Sequence, residues 1–261
     1  MGAPLRRIIA FRCADETLIG SLDAAAGTTG VLIVSGGNEV RCGAHRGMAA
    51  LAAALAAGGV PVFRFDRRGI GDSSGTNGGF ESAADDIIAA VAAFRTCCPH
   101  LTRIVGFGNC DGASALALFG HDAGLDALVL ANPWVVAPVD DLPPAAAIRA
   151  RYATRLRDPG LWGKLVRGRI SISAGIRGLS RIFGMHSDTE APLEKGFFAG
   201  IVSIPSTVII ARGDATAQTF VAAAKRRRWR GAMHIIDTAS HSFAGPGDAE
   251  ALLAAVREGV R

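Results

Sequence analysis

Residues 102–119 limit how this chain can fold more than any other stretch. The apolar run Thr102 to Phe107 has the character of a buried strand, and Asp111 to Phe119 is built of small, helix-forming residues. Between them lies the pattern Gly108-Asn109-Cys110-Asp111-Gly112. A chain can pass from strand to helix that abruptly only on a sharp bend, with glycine wherever other backbone comes close. Cys110 sits on the bend, at the N-terminus of the following helix. The partial positive charge there favours an anionic sulfur and any oxyanion beside it. A buried structural cysteine needs neither glycine.

Strand-like and helical runs alternate through most of the remaining sequence. Arg7 to Cys13 and Thr17 to Leu22 read as an opening antiparallel pair. The unbroken apolar run Gly30 to Ser35 is expected of a strand buried on both faces. Helices are expected at His45 to Ala57, Ala83 to Phe94 and Ala249 to Arg257, with further strands at Val60 to Phe65, Ala127 to Ala131, Ser206 to Ala211 and Met233 to Ile236. This order predicts an α/β fold with a mostly parallel central sheet and helices on both faces. Residues 137–202 interrupt the alternation. Pro138, Pro143 and Pro144 open the segment, and Ile148–Tyr152–Leu156 and Trp162–Leu165–Val166 follow with helical spacing. A structureless loop of that length is unlike a compact domain, so the segment predicts a small helical cap inserted before the last two strands of a single domain spanning 1–261.

A cysteine nucleophile needs a base on another loop at the same edge of the sheet. Of six histidines, only His241 follows the C-terminal end of a strand near the chain terminus and precedes a helix. An orienting acid belongs after the penultimate strand, where Ile209-Ile210-Ala211-Arg212-Gly213-Asp214 supplies Asp214. Asp237 is the other candidate, although its place at a strand end favours local pairing. Two backbone N–H groups are needed where negative charge develops. Asp111 supplies one, and Ser35-Gly36-Gly37-Asn38-Glu39 supplies the other from Gly37 or Asn38. Arg68, Gly69 and Gly71 read as loop-shaping residues, with Asp66 and Asp72 satisfying nearby backbone or arginine.

Composition removes several other readings. Hydrophobic residues make up 49% of the 261, enough for one large core, and no Gly/Ser/Pro linker divides the chain. Cys13, Cys42, Cys97, Cys98 and Cys110 are odd in number and scattered, without disulfide or zinc spacing, as expected of reduced cytoplasmic thiols. Met1 to Arg12 does not read as a secretory signal, and the apolar stretch Ala49 to Phe63 is broken by Gly58-Gly59 and Pro61. The overall charge of +5 is local: Ala145 to Phe183 holds nine basic residues against Asp158 alone. This segment is either a solvated helix face or a surface for peripheral contact with an anionic surface or substrate. Nucleic acid is not an expected partner, with aromatics at 6% and no recognised binding module. The run Lys225-Arg226-Arg227-Arg228-Trp229-Arg230 reads as the exposed end of a helix.

The Ser35-Gly36-Gly37 loop, the run Phe65 to Ser73, the cysteine elbow and His241 together resemble the α/β-hydrolase superfamily. The phrases Gly108-Asn109-Cys110-Asp111-Gly112-Ala113-Ser114-Ala115, Ser35-Gly36-Gly37-Asn38-Glu39-Val40-Arg41, and Arg151-Tyr152 through Leu165 are similar to a narrower group. That group is the exosortase A system-associated hydrolase type 1 family of bacteria with exopolysaccharide loci. That resemblance implies a genomic neighbourhood and names no substrate. The residues themselves point to a Cys110–His241–Asp214 triad without cofactor or metal, cleaving small or carrier-linked ester, thioester or lactone substrates through an acyl-enzyme. The same machinery serves an acyltransferase, and a non-catalytic scaffold that keeps the elbow is a third possibility.

Overall fold

The computed structural model describes residues 6–135 and 192–261. Eight strands are seen there: β1 (Arg6–Cys13), β2 (Glu16–Asp23), β3 (Thr29–Val34), β4 (Val62–Phe65), β5 (Arg103–Asn109), β6 (Ala127–Ala131), β7 (Ser206–Ala211) and β8 (Ala232–Ile236). The α-helices are α1 (Gly47–Ala57), α2 (Ala84–Cys97), α3 (Asp111–Phe119), α4 (Pro192–Ser203), α5 (Ala215–Arg226) and α6 (Asp248–Val260). One sheet holds all eight strands in the order β1-β2-β4-β3-β5-β6-β7-β8. The β1/β2 and β2/β4 pairs are antiparallel, and every pairing from β4 onward is parallel. The expected α/β architecture, with helices on both faces, is the one found.

The apolar runs serve two cores at once, because successive strand side chains point to opposite faces. On one face Val31, Ile33, Val105 and Phe107 pack with Leu51 and Leu55 of α1 and Val256 of α6. On the other, Leu32, Val34, Phe63 and Phe65 meet Ile87 and Phe94 of α2, Leu116 of α3, Phe197 of α4 and Phe220 of α5. On this second face β5 carries Gly106 and Gly108. A Cβ on Gly106 would lie 2.8 Å from Leu125 and 2.9 Å from Leu116, and one on Gly108 would lie 2.6 Å from Gly112 backbone. Bare backbone at these two positions lets α3 lie directly on the strand that feeds it.

The expected cap region falls mostly outside the described residues, together with its basic side chains. Its C-terminal part, within α4, packs on α3 as part of the main body. Gly200 makes that approach possible, since a Cβ there would stand 1.7 Å from the Ala117 carbonyl oxygen. Phe197 and Phe198 stack into a cluster with Phe220 and Trp229. The basic run Lys225 to Arg230 is the largely exposed end of α5 that was expected, and two of its arginines also hold an acid. Arg226 and Arg227 both donate to the buried carboxylate of Glu194 on α4, at 2.7 and 3.0 Å, and Arg227 lies over the Phe198 ring. Among the described residues no helix is long and apolar enough to cross a membrane.

Candidate active site

Cys110 occupies the turn between β5 and α3 with φ 60° and ψ −127°. Such a conformation costs a non-glycine residue about 1–3 kcal/mol, so surrounding contacts must fix it. Its N–H donates to the Ala131 carbonyl at the end of β6 (3.0 Å), and its carbonyl accepts from Ala113 (3.2 Å) and Trp134 (3.2 Å). The two glycines of the motif have separate tasks. Gly108 accommodates the first turn of α3, and Gly112 accommodates the end of β3, where a Cβ would be 2.5 Å from the Val34 carbonyl oxygen. The bend thus projects the half-buried Cys110 side chain at the C-terminal edge of the sheet, as the spacing predicted.

His241 lies in the loop between β8 and α6, and its Nδ1 is 3.0 Å from Oδ1 of Asp214. Asp214 is buried and caps α5: its second oxygen accepts from the Ala217 N–H at 2.8 Å. The carboxylate therefore has one oxygen locked by the helix and the other turned to the ring. Gly213 brings the two loops together, donating to the Thr238 carbonyl (2.8 Å), and a Cβ there would meet Ala239 at 2.9 Å. The His241 loop is itself braced. Thr238 Oγ1 donates to Asp248 (2.7 Å), Ala244 N–H donates to Ser240 Oγ (2.9 Å), and Phe243 is buried in the α1/α6 core. His241 is pushed up from 6.5 to about 10, first by its hydrogen bond to Asp214 and next by Cys110, against the opposing effect of burial. Both side chains thus favour the imidazolium.

The alternative acid, Asp237, is fully at the surface and pairs with Arg212 (3.1 Å), which is the local role expected of it. Of the other cysteines, burial and Asp86 push the Cys13 thiol up to about 11, and burial also pushes Cys98 up. Both are placed to stay protonated and inert. Among the described residues no cluster of three His, Cys, Asp or Glu side chains is arranged as metal ligands.

The glycine loop after β3 lies against the elbow, with its Gly37 donor engaged. Gly37 N–H donates to Oδ1 of Asp111 at 2.5 Å, and the Asn38 side-chain oxygen accepts from Asn77 (2.8 Å). Arg67 donates to the Gly37 carbonyl and fixes the loop from the other side. The main-chain N–H of Asp111 begins α3 and has no acceptor within its own helix. For Gly37 to serve an oxyanion, the Asp111 carboxylate must first move off it. The segment from Asp66 to Ser73 has the loop-shaping role expected. Asp66 accepts from the Arg41 and Asp72 N–H groups at 2.5 and 3.2 Å, and Ser73 Oγ donates to the Asp66 carbonyl at 2.7 Å.

Sequence reasoning missed two residues. Asn109 ends β5 and Asn132 follows β6, and both side-chain amides donate to the main-chain carbonyl of His241, at 3.2 and 3.1 Å. The available signals were an asparagine beside the nucleophile and an Asn-Pro pair at a strand exit. Asn132 takes φ 41°, a left-handed conformation that asparagine tolerates better than most residues.

A model of the alpha/beta hydrolase family matches residues 31–256. Among solved structures the chain is similar to the Pyrococcus furiosus esterase Pf2001, with TM-score 0.62 and 16% identity over 98% of this chain and 92% of that one. It is also similar to the alpha/beta hydrolase GrgF from Penicillium sp. sh18, with TM-score 0.65 and 14% identity over 98% of each chain. A third match is a proline iminopeptidase of Mycobacterium smegmatis, with TM-score 0.59 and 15% identity over 97% of each chain. No curated protein matches the sequence. At these identities the structural likeness establishes the fold, and the family model covers well over half of the chain. The chain belongs to the alpha/beta hydrolase family.

Proposed function

We propose that this hydrolase cleaves ester, thioester or lactone bonds with Cys110 as nucleophile, His241 as general base and acid, and Asp214 as the group that orients His241. The observation that carries the reading is the state of His241. Its ring is bonded to Asp214 on one side, and it is pushed up to about 10 by Asp214 and Cys110 together. The resting proton is then held on His241, beside the Cys110 side chain that it serves.

The thiolate attacks the acyl carbonyl, forming a C–S bond and a tetrahedral oxyanion beside the Asp111 N–H at the N-terminus of α3. As the carbon–oxygen or carbon–sulfur bond to the leaving group breaks, that group takes the proton from His241. In the acyl-enzyme Cys110 carries no charge, so one of the two groups that hold the imidazole protonated is gone. The neutral ring takes a proton from water, the hydroxide attacks the thioester carbonyl, and collapse expels the thiolate with His241 protonated again. Amides fit this route poorly, because the tetrahedral intermediate expels a thiolate more readily than an unprotonated amine. The elbow and loop phrases, similar to those of the exosortase A system-associated type 1 hydrolases, support a role alongside exopolysaccharide assembly.

The test is turnover of a panel of activated esters, thioesters and lactones by wild type, Cys110→Ala and His241→Ala. Hydrolysis by wild type, lost with Cys110→Ala and lowered about 10²–10⁴-fold with His241→Ala, is the expected result. Equal turnover by wild type and Cys110→Ala would remove Cys110 from the chemistry.

A further inference from the structure

We infer that Asn109 and Asn132 are positioning residues that set the place of His241 through its main-chain carbonyl. This rests on the proposed role of Cys110 and His241.

The two amides meet on one acceptor. Asn132 Nδ2 donates to the His241 carbonyl at 3.1 Å and to Asn109 Oδ1 at 3.3 Å, while Asn109 Nδ2 donates to the same carbonyl at 3.2 Å. Asn132 Oδ1 accepts from the Ala211 N–H at 2.8 Å, and the Asn132 N–H donates to the Ile209 carbonyl at 2.9 Å. Asn132 is fully buried, so each of these groups has exchanged water for a protein partner. The network joins the ends of β5, β6 and β7 to the loop after β8.

Its chemistry specifies amides. A carbonyl has two acceptor sites and both are used, so each position must present a donor. A carboxylate at either would face the His241 carbonyl oxygen with its own negative charge. The end of β6 is a place where an acid to orient the base could stand, and here it holds an amide that reaches the backbone of the same histidine. His241 is then held at two points, its ring by Asp214 and its carbonyl by the asparagine pair. Asn109 is also the neighbour of Cys110, so one peptide and one hydrogen bond connect nucleophile and base. The separation of Sγ and the imidazole is fixed by that short path, independently of the longer route through β8.

Neutral isosteres test this. Asn109→Leu and Asn132→Leu keep the branched outline with somewhat more bulk, add no charge and remove the donors. The readout is alkylation of Cys110 by iodoacetamide across pH, followed by mass spectrometry, with thermal melts of each variant. In Asn109→Leu, which is only half-buried, alkylation at neutral pH is expected to fall about tenfold, while Tm stays within about 5 °C of wild type. The double variant is expected to lose little more than the stronger single one, since both donors act on one acceptor. Unchanged alkylation and pH profile in Asn109→Leu would overturn the inference, whatever happens to Tm. If Asn132→Leu does not fold, Asn109→Leu decides. His241→Ala is the control that separates the two claims. Wild type alkylating no faster than His241→Ala would refute the Cys110–His241 pairing and the positioning role with it. A difference there, combined with Asn109→Leu matching wild type, would refute the positioning role alone.

Discussion

Asp111 raises the sharpest question among single residues. Its main-chain N–H is the donor proposed for an oxyanion, yet its carboxylate occupies the Gly37 N–H, one of the two loop donors that the sequence offers beside Asn38. A carboxylate next to a developing oxyanion opposes it electrostatically, and its departure must precede full use of the loop. Asp111→Ala should therefore speed the acylation burst with a p-nitrophenyl ester by about tenfold, or about 1.4 kcal/mol off the barrier. A slower burst with unchanged Tm would mean that the carboxylate assists the reaction. Cys110, His241 and Asp214 could be proposed from the sequence because each follows a strand, in a fixed chain order. Asn109 and Asn132 could not, since a side chain that acts on a carbonyl distant in sequence leaves no periodicity or spacing to read. The same holds for the Asp111–Gly37 contact.

Helix α4 shows where periodicity stops being informative about an element. Phe197, Phe198 and Ile201 give it an apolar face, and that pattern is equally suited to a cap or to the main body. Its partners decide, namely α3 through Gly200 and α5 through Glu194 with Arg226 and Arg227. Gly200→Ala should force α4 off α3 and cost about 1–3 kcal/mol, read as a lower denaturation midpoint at unchanged m-value. Gly112→Ala should cost a similar amount and also slow acylation, because the Cβ would press on the Val34 carbonyl beneath the elbow. Strand boundaries moved by one or two residues for simple reasons. β4 begins at Val62, since Pro61 has no N–H to donate, although its carbonyl accepts from Val31 (2.9 Å). β5 runs on to Asn109 because the pairing with β6 continues to Ala131.

The whole molecule carries the signature of its charged pair in its pH dependence. Folding lifts His241 from 6.5 to about 10, so the folded state binds this proton more tightly than the unfolded state. The resulting stabilisation is complete below about 6.5 and is lost as pH rises through about 10. Asp214→Asn should flatten that decline in thermal melts taken across the window. With the His241 side chain 38% exposed, solvent screening keeps the effect modest. An equally steep decline in Asp214→Asn would assign the slope to other groups. The mostly parallel sheet and its strands covered on both faces were readable from the unbroken apolar runs and the helices between them, whereas the crossover that places β4 beside β2 was not. The engagement of the basic run after α5 with Glu194 was not, because charge in a sequence does not reveal its counter-charge.

The proposed chemistry passes through a covalent acyl intermediate on Cys110. Rapid-quench mass spectrometry of the protein mixed with a p-nitrophenyl ester, followed by peptide mapping, reads this directly. A transient acyl adduct is expected on the peptide carrying Cys110, absent in Cys110→Ala and slow to form in His241→Ala. An adduct on another residue, or product release at the wild-type rate by Cys110→Ala, would contradict it.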